Sequence, residues 1–423
     1  MRILEYQDLE YTQGQIEMLT RIQNELEIFK TTRNNGKVLR VSGFAGTGKT
    51  TIIKNIVKYV LERCNFSSLY VLAPTNKAVQ VLLSKMDGLN KDYFSTIHRT
   101  IYGSPDDKEE MTWAVKQTIN RAFVIIEEAS MVDKNIKEDL DICFINSFII
   151  YIGDGFQLEP VGTDIKLLAN PDILLTEVKR NAGDILNYSI KLREEHKISS
   201  FAEFPSIQKI GYLDAINSFS NDVRDDKDVI YITATNKVRV DVNTKTRNRI
   251  FAMTNLPQIK DRLIAINNSN NFVNGELFQI DEVEVFVDRV ITFKDRFKSV
   301  DERVIFCTID GNPVLLLPAT EQASFHAFAF NNLDYDSELL PLVGEENIVF
   351  DETGRFPQLS KDVVIATYGY ASSCHKSQGS QWDKVYVDQN WLATPGKGWD
   401  NVRWRYTAIT RAVSELVIVN RTY

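Results

Sequence analysis

A glycine-rich segment directly after an apolar strand constrains this chain more than any other feature. The apolar run 38–43 predicts a buried strand, and it leads into the pattern G-x-x-x-x-G-K-[ST], whose positions are Gly43, Gly46, Thr47, Gly48, Lys49 and Thr50. A helical run follows, so the alternative of a chance glycine-rich turn has little support. Glycines let backbone N–H groups approach an anion at a helix N-terminus. The segment predicts a phosphate-binding loop, with Lys49 on the β- and γ-phosphates and Thr50 as a ligand of Mg²⁺.

The residues around this loop alternate short apolar runs with longer helical stretches. In the first half of the chain the strand candidates are 38–43, 69–73, 123–126 and 148–153. The same alternation occurs in the second half of the chain, where the strand candidates are 228–236, 362–372, 384–388 and 414–419. Nearly continuous apolar runs are typical of parallel strands that are buried on both faces. The pattern predicts an α/β fold with two open sheets.

Residues 270–360 differ from the rest of the chain in hydrophobic pattern and in charge. The alternating run 272–293 contains Asn274-Gly275, and two apolar runs flank Asp310-Gly311, so antiparallel strands with tight turns are expected. The segment carries 17 Asp and Glu against 6 Lys and Arg, whereas the whole chain has a net charge of −8. It predicts a small β-rich domain inserted in the second α/β domain. Its acidity does not suit a nucleic-acid surface, and it is either a solvated face or a docking site for a basic partner.

Polar residues follow two of the predicted strands, at the sheet edge where α/β folds bind ligands. Glu127 and Glu128 come directly after 123–126, and Gln157 follows 148–153. Phosphoryl transfer needs one carboxylate for the metal and another to activate water. A solvated acidic pair is the alternative, but four apolar residues precede the pair. The pair therefore supplies both a metal ligand and a base, with the order of the two roles open at this point, and the Gln157 amide is placed to read the γ-phosphate state.

Several classes of site are excluded by the composition. The four cysteines are scattered without a CxxC pair, and the four histidines lack metal-ligand spacing. No apolar run approaches the roughly 20 residues that span a bilayer, and the first residues do not form a signal peptide. We expect a cytoplasmic protein without a membrane partner.

Taken in order, these motifs resemble those of superfamily 1 helicases of the RecD-like branch, in particular the Dda-type phage helicases. The matching segments are 12–15, 73–78, 95–98, 127–128, 153–157, 176–180, 234–236, 375–379 and 406–412. The resemblance implies two RecA-like domains, with a small β-hairpin inserted in the first and an SH3-like β-rich insertion in the second. The implied domains are 1–180 (with a hairpin at about 99–120), 181–269 joined to 361–423, and the insert 270–360.

The resemblance also implies roles for individual residues. Gln15 would read adenine, Glu127 would hold the metal and Glu128 would be the base. Arg180 and the arginine finger Arg411 would act on the γ-phosphate. Single-stranded DNA would be contacted by Pro74, Thr75, Asn76, Thr96, His98, Thr235, Asn236, Ser373, His375 and Lys376. Trp113 would either tip the hairpin that separates the duplex or cover the base of that hairpin.

Two positions depart from the family pattern. Glu127 stands where the family usually has Asp, and its extra methylene puts the geometry of the metal contact in doubt. Ser373 stands where the family usually has Thr, which keeps the hydroxyl and removes only a methyl group.

The sequence therefore predicts an ATP- and Mg²⁺-dependent helicase that moves along single-stranded DNA and opens duplex junctions. The 5′ to 3′ direction is implied by the resemblance alone, and a monomer is expected. If the chain is phage-encoded, as the resemblance suggests, its compartment would be the host cytoplasm. Three alternatives stay open. The chain could be a nucleic-acid-stimulated ATPase that remodels bound protein, it could be a clamp that binds ATP without hydrolysis, or its substrate could be RNA.

Overall fold

A computed structural model describes most of the chain and divides it into two compact units. The described residues are 10–31, 36–102, 115, 117–159, 165–178, 183–196, 203–252, 254, 256–272, 274–294, 299–319, 343–350, 357–388 and 398–420. The first unit comprises Met1–Ser199 and Gly398–Thr410, and the second comprises Ser200–Lys397 and Arg411–Tyr423. The described α-helices are α1 Gln13–Thr31, α2 Lys49–Arg63, α3 Asn76–Leu83, α4 Ile97–Ile101, α5 Lys134–Cys143, α6 Gly183–Glu195, α7 Tyr212–Arg224, α8 Asn236–Ile250 and α9 Gly398–Ile409.

The first unit is built on a six-stranded parallel sheet. Its strands are β1 Lys37–Gly43, β2 Leu69–Ala73, β3 Phe94–Thr96, β5 Phe123–Ile126, β7 Phe148–Gly153 and β8 Ile173–Leu175, in the order β3-β2-β5-β7-β1-β8. A separate short pair joins β4 Ile119–Asn120 to β6 Phe144–Ile145. All four strand candidates of this half are confirmed. Every residue of β5 and β7 is buried, because helices cover the sheet and apolar residues of α1 and α2 pack on it.

The second unit contains a five-stranded parallel sheet. Its strands are β9 Gln208–Gly211, β10 Val229–Thr233, β19 Ala371–Ser373, β20 Trp382–Asp388 and β21 Ala412–Asn420, in the order β19-β10-β20-β21-β9. The candidates 228–236, 384–388 and 414–419 are confirmed as strands of this sheet. Helix α7 packs Ile216 and Phe219 against the apolar face that carries Tyr231 and Tyr386.

A third sheet of mixed direction completes the second unit. Its strands are β11 Arg262–Ala265, β12 Leu277–Gln279, β13 Val283–Lys294, β14 Ser299–Ile309, β15 Asn312–Leu316 and β18 Val364–Tyr368, in the order β12-β11-β18-β15-β14-β13. A small hairpin pairs β16 Ile348–Phe350 with β17 Pro357–Leu359. The predicted turn between β14 and β15 is confirmed, because Asp310 (φ 50°) and Gly311 (φ 76°) both adopt the left-handed conformation of a tight hairpin.

The strand predicted at 362–372 is wrong as a single strand. The structure has β18 in the mixed sheet and β19 in the parallel sheet, with Gly369 between them. A Cβ atom at Gly369 would lie 2.8 Å from the Leu263 carbonyl carbon, so the chain can pass here only without a side chain. Asn274-Gly275 does lie between two antiparallel strands, β11 and β12, but the tight turn expected there is wrong, because the connection is the long loop 266–276.

Helix α9 belongs to the first compact unit, although we expected residues 361–423 to lie with the second α/β domain. The predicted boundaries at 180, 269 and 360 stay a prediction. Within the part of the chain that the structure describes, no helix is both long and apolar enough to cross a membrane.

Candidate active site

The glycine-rich segment forms a tight loop between β1 and α2. Gly46 (φ 83°) and Gly48 (φ 77°) adopt the left-handed conformation that side chains disfavour. A Cβ atom at Gly48 would also lie 2.8 Å from Gln15 Nε2. The loop therefore delivers the chain to the N-terminus of α2, a helix of 15 residues whose first amides have no partner within the helix. This is the geometry that binds phosphate.

Side chains of the loop fold back onto its own backbone. Lys49 Nζ donates hydrogen bonds to the carbonyl oxygens of Gly43 at 2.6 Å and Phe44 at 3.1 Å. Thr47 Oγ1 donates to the same Phe44 oxygen at 2.8 Å. These bonds keep the ammonium group at the loop, where its charge can act on a bound phosphate.

Gln15, at the start of α1, forms a hydrogen bond to the backbone of the loop. Its Nε2 donates to the Thr47 carbonyl oxygen at 2.8 Å, and its Oε1 accepts from the Thr12 amide at 3.0 Å. The side chain is 3% exposed. Gln15 thus lies at the nucleotide loop as expected, while its reading of adenine stays a prediction.

Thr50 and Glu127 form the candidate metal site. Thr50 Oγ1 donates to Glu127 Oε1 at 3.2 Å, so the longer Glu side chain does reach the hydroxyl group. Burial raises the pKa of Glu127 to about 8; the charge of Glu128 adds to this rise, whereas Lys49 and Thr50 oppose it. A carboxylate and a hydroxyl are oxygen donors of the kind that Mg²⁺ prefers, and a buried acid in need of a positive charge suits that ion.

Glu128 differs from its neighbour in conformation and contacts. Its backbone has a φ of 52°, which is rare for a residue with a side chain and is concentrated at functional sites. Its Oε2 is buried without a hydrogen-bond partner among the described residues. An unpaired carboxylate oxygen beside the metal site is free to accept a proton from water, as a base must.

The raised pKa of Glu127 predicts a pH-dependent stability. In the folded protein Glu127 holds its proton up to about pH 8, whereas in the unfolded chain it loses it near the ordinary value of 4.5. The protonated acid therefore contributes its full stability below about pH 4.5, and this stability is lost as the pH rises through about 8. In EDTA and without nucleotide, the free energy of unfolding should therefore fall between about pH 5 and pH 8. Glu127→Gln should flatten the curve in this window. Urea unfolding at several pH values tests this, and equal slopes for both proteins would refute it.

Gln157 lies in the segment after β7, close to helix α9. It is 4% exposed, and its Oε1 is buried without a hydrogen-bond partner in the described structure. Arg403 of α9 donates to the Gln157 carbonyl oxygen at 3.4 Å and pairs with Glu159 at 2.5 Å. Thr407 Oγ1 accepts from the Leu158 amide at 2.9 Å. Helix α9 therefore fixes the segment that presents Gln157.

The sequence did not reveal a second link between this segment and α9. Tyr406 donates to Asp154 Oδ2 at 2.7 Å, although 252 positions separate the two residues. Both belong to segments that resemble family motifs, but a motif match does not pair residues across the chain. The one signal in the sequence for this contact was that Asp154, an acidic residue, directly follows a strand that was predicted to be buried.

The structure does not bring three predicted residues to this site. Arg180 and Trp113 lie outside the described residues. Arg411 belongs to the second unit, is 3% exposed and donates to the Ser380 carbonyl oxygen at 3.3 Å. The roles of all three toward a nucleotide or DNA stay predictions.

The first group of predicted DNA contacts lies together at one edge of the first sheet. Pro74, Thr75 and Asn76 follow β2, and Thr96 ends β3, which pairs with β2 so that Ala73 lies opposite Thr96. Thr75 caps α3 by accepting from the Ala78 amide at 3.2 Å. Thr96 caps α4 in the same way, and His98, two residues later, is exposed.

The second group repeats this arrangement in the second unit. Thr235 and Asn236 follow β10, and Thr233 of β10 lies opposite Ser373 of β19. Thr235 caps α8 by accepting from the Val238 amide at 3.3 Å, with backbone angles (φ −126°, ψ 152°) that nearly equal those of Thr75 (φ −128°, ψ 151°). His375 and Lys376 are exposed just beyond Ser373. Each unit therefore has hydroxyl, amide and basic groups at its sheet edge.

Comparisons with known proteins agree with this arrangement. Residues 25–163 match a family model described as an AAA domain, and residues 368–419 match one described as a UvrD-like helicase C-terminal domain. The chain is 24% identical to the uncharacterized protein R530 of Acanthamoeba polyphaga mimivirus, over 91% of this chain and 95% of that protein. It is also 24% identical to the ATP-dependent DNA helicase dda of enterobacteria phage T4, over 68% of this chain and 62% of that protein.

A solved structure shares the fold. A Pif1 helicase from a study of DNA unwinding at forked double-stranded DNA aligns with a TM-score of 0.50 and 16% identity, over 97% of this chain and 92% of that chain. The predicted fold of two RecA-like α/β domains is confirmed. The motifs, the two family models and the similarity to Dda agree with one another: the chain is similar to the superfamily 1 helicases of the Pif1 and Dda branch.

Proposed function

We propose that this chain is an ATP-dependent DNA helicase that hydrolyses ATP at the loop 43–50 and steps along single-stranded DNA. The observation that carries the proposal is the contact of Thr50 with Glu127 beside the unpaired carboxylate oxygen of Glu128. A phosphate loop that only binds nucleotide has no need for a second, strained carboxylate. This arrangement disfavours the alternative of a clamp without hydrolysis.

The residues of the loop and of the two neighbouring strand ends have separate tasks in the proposed reaction. Thr50 and Glu127 would hold Mg²⁺, which neutralises charge on the phosphates when it is bound. Lys49 supplies a positive charge to the β- and γ-phosphates, and the amides at the start of α2 bind their oxygens. Glu128 orients the attacking water and accepts its proton. Gln157 offers an unpaired carboxamide oxygen near this site.

The predicted DNA contacts suit binding without sequence preference. Thr75 and Thr235 cap helices whose N-terminal amides attract phosphate, and Lys376 adds a positive charge. Contacts to phosphate and sugar position a strand without reading its bases. The same contacts would also accept RNA, so a single-stranded RNA of equal length belongs in every binding test.

The remaining features of the proposal come from the resemblance and from composition. These are movement from 5′ to 3′, action at duplex junctions and a monomeric state. The acidic segment 270–360 would dock a basic replication or recombination protein. The cytoplasm is the expected compartment, because all four cysteines are free thiols.

Strand displacement tests this proposal. A duplex with a 5′ single-stranded tail should be opened in the presence of ATP and Mg²⁺, while a duplex with a 3′ tail should stay closed. ATP hydrolysis that is stimulated by single-stranded DNA, without opening of either duplex, would support the protein-remodelling alternative instead. Opening from the 3′ tail alone would reverse the proposed direction.

Trp113→Ala should separate movement from unwinding. If Trp113 tips the separating hairpin, duplex opening should fall sharply because each base pair costs about 1–2 kcal/mol of stacking to open. ATPase activity with single-stranded DNA should stay near that of the wild type. The measurement is the ratio of unwinding rate to ATPase rate. An unchanged ratio with a lower melting temperature would show that Trp113 packs the hairpin base.

A further inference from the structure

A buried tyrosine of helix α9 connects two parts of the nucleotide site. The Tyr406 hydroxyl donates to Asp154 Oδ2 at 2.7 Å and accepts from the Ala45 amide at 3.4 Å. Asp154 directly follows β7, and Ala45 lies inside the phosphate loop. All three residues belong to the first compact unit. One hydroxyl group therefore bridges the end of a strand and the loop.

The surroundings hold this hydroxyl group in place. Tyr406 is 1% exposed and Asp154 is fully buried. The ring of Phe156 meets the Tyr406 ring edge-on, with centroids 4.9 Å apart. The Phe156 amide donates to Asp154 Oδ1 at 3.0 Å, so both oxygens of the carboxylate accept hydrogen bonds. Water does not reach this bridge, so loss of the hydroxyl would leave buried polar atoms unpaired.

The direction of the two hydrogen bonds follows from the charge of Asp154. Burial, and then this negative charge, raise the pKa of Tyr406 well above its ordinary value. The phenol therefore keeps its proton and donates it to the carboxylate. Its oxygen is left to accept the Ala45 N–H.

We propose that Tyr406 is a positioning residue for nucleotide binding, which holds the phosphate loop in its binding conformation through Asp154 and Ala45. The inference rests on the proposed function, because ATP is taken as the ligand of the loop. Gln15 holds the same loop at the Thr47 carbonyl oxygen, so side chains from α1 and α9 fix two points of it. A loop that is fixed before binding loses less entropy when phosphate arrives, and its affinity is correspondingly higher.

Tyr406→Phe tests the proposal because it removes only the hydroxyl group. The Ala45 amide and one oxygen of Asp154 lose their partner, and the loop gains freedom. Binding of a non-hydrolysable ATP analogue and the KM for ATP should each weaken by about tenfold, as expected for a hydrogen bond to a charged, buried group. The kcat at saturating ATP should stay within about threefold, because Tyr406 does not touch the reacting atoms.

Tyr188→Phe is the matched control. Tyr188 lies on α6 and is fully buried, and its hydroxyl oxygen accepts from Arg405 of α9 at 2.8 Å. The variant loses the same chemical group from a buried hydrogen bond that also involves helix α9, so its melting temperature should fall by a similar amount. Its affinity for the ATP analogue should stay within about twofold of the wild type, because a remote hydrogen bond seldom couples to a binding site.

The outcomes separate positioning from simple packing. Equal losses of melting temperature with unchanged nucleotide affinity in both variants would overturn the proposal. If Tyr406→Phe does not fold, Asp154→Asn keeps the volume and removes the charge, so it should weaken nucleotide binding in the same direction by a smaller factor. Unchanged affinity in that variant would again overturn the proposal. A wild-type protein that binds no nucleotide would instead contradict the proposed function.

Discussion

Lys49→Ala is expected to abolish measurable ATP turnover while single-stranded DNA binding stays within about twofold of the wild type. Lys49 is the charged side chain of the phosphate loop, and its ammonium group lies on the Gly43 and Phe44 carbonyl oxygens. Alanine removes that charge and leaves the glycine backbone of the loop intact. The predicted DNA contacts lie at other positions of the sheet edge. Steady-state phosphate release and fluorescence anisotropy with a labelled oligonucleotide measure the two quantities.

Lys54→Ala is the matched control for this change. Lys54 lies on the same helix α2, just over one turn after Lys49 and outside the loop. It should retain the turnover of the wild type. Normal turnover in Lys49→Ala would mean that ATP is hydrolysed at another place in the protein. Equal loss in both variants would point to damage of the helix.

Glu128→Gln is expected to bind ATP normally and to hydrolyse it at least about 10²-fold more slowly. The change replaces a carboxylate oxygen by an amide of nearly the same size, so the strained backbone can keep its conformation. An amide cannot accept the proton of the attacking water. Single-turnover hydrolysis and equilibrium binding of ATP separate the chemical step from affinity.

The neighbouring position provides the contrast. Glu127→Asp shortens the side chain to the length usual in the family, and turnover should be retained or slightly raised if Glu127 holds the metal. Glu138→Gln is a suitable control, since Glu138 is an exposed acid of α5 in a surface ion pair with Lys134. Normal turnover in Glu128→Gln together with an inactive Glu127→Gln would show that the two roles are exchanged.

Local features of the site could be predicted from the sequence because each depends on residues that are close in the chain. The loop needs glycine at Gly46 and Gly48 for their positive φ angles, and this need is visible in the motif. Thr75 and Thr235 follow buried strands and precede helical runs, so their capping role was accessible in the same way.

Features that depend on distant residues could not be predicted. The mixed sheet includes β11 and β18, which lie outside the acidic segment, and the division of 362–372 depends on the approach of Leu263 to Gly369. A continuous apolar run does not indicate whether its residues belong to one sheet or to two. The hydrogen bond from Tyr406 to Asp154 could not be predicted for the same reason, because the residue types alone do not indicate which distant residues pair.

The rate of ATP hydrolysis with and without single-stranded DNA tests the central claim most directly. With Mg²⁺ present, the account predicts a low basal rate that rises by at least about tenfold when an oligonucleotide is added, since phosphoryl transfer in this class depends on positioning that a second ligand can complete. Glu128→Gln should show little turnover under either condition. A wild-type rate that is the same with and without DNA or RNA would contradict the account, because hydrolysis would then not be coupled to a nucleic acid strand.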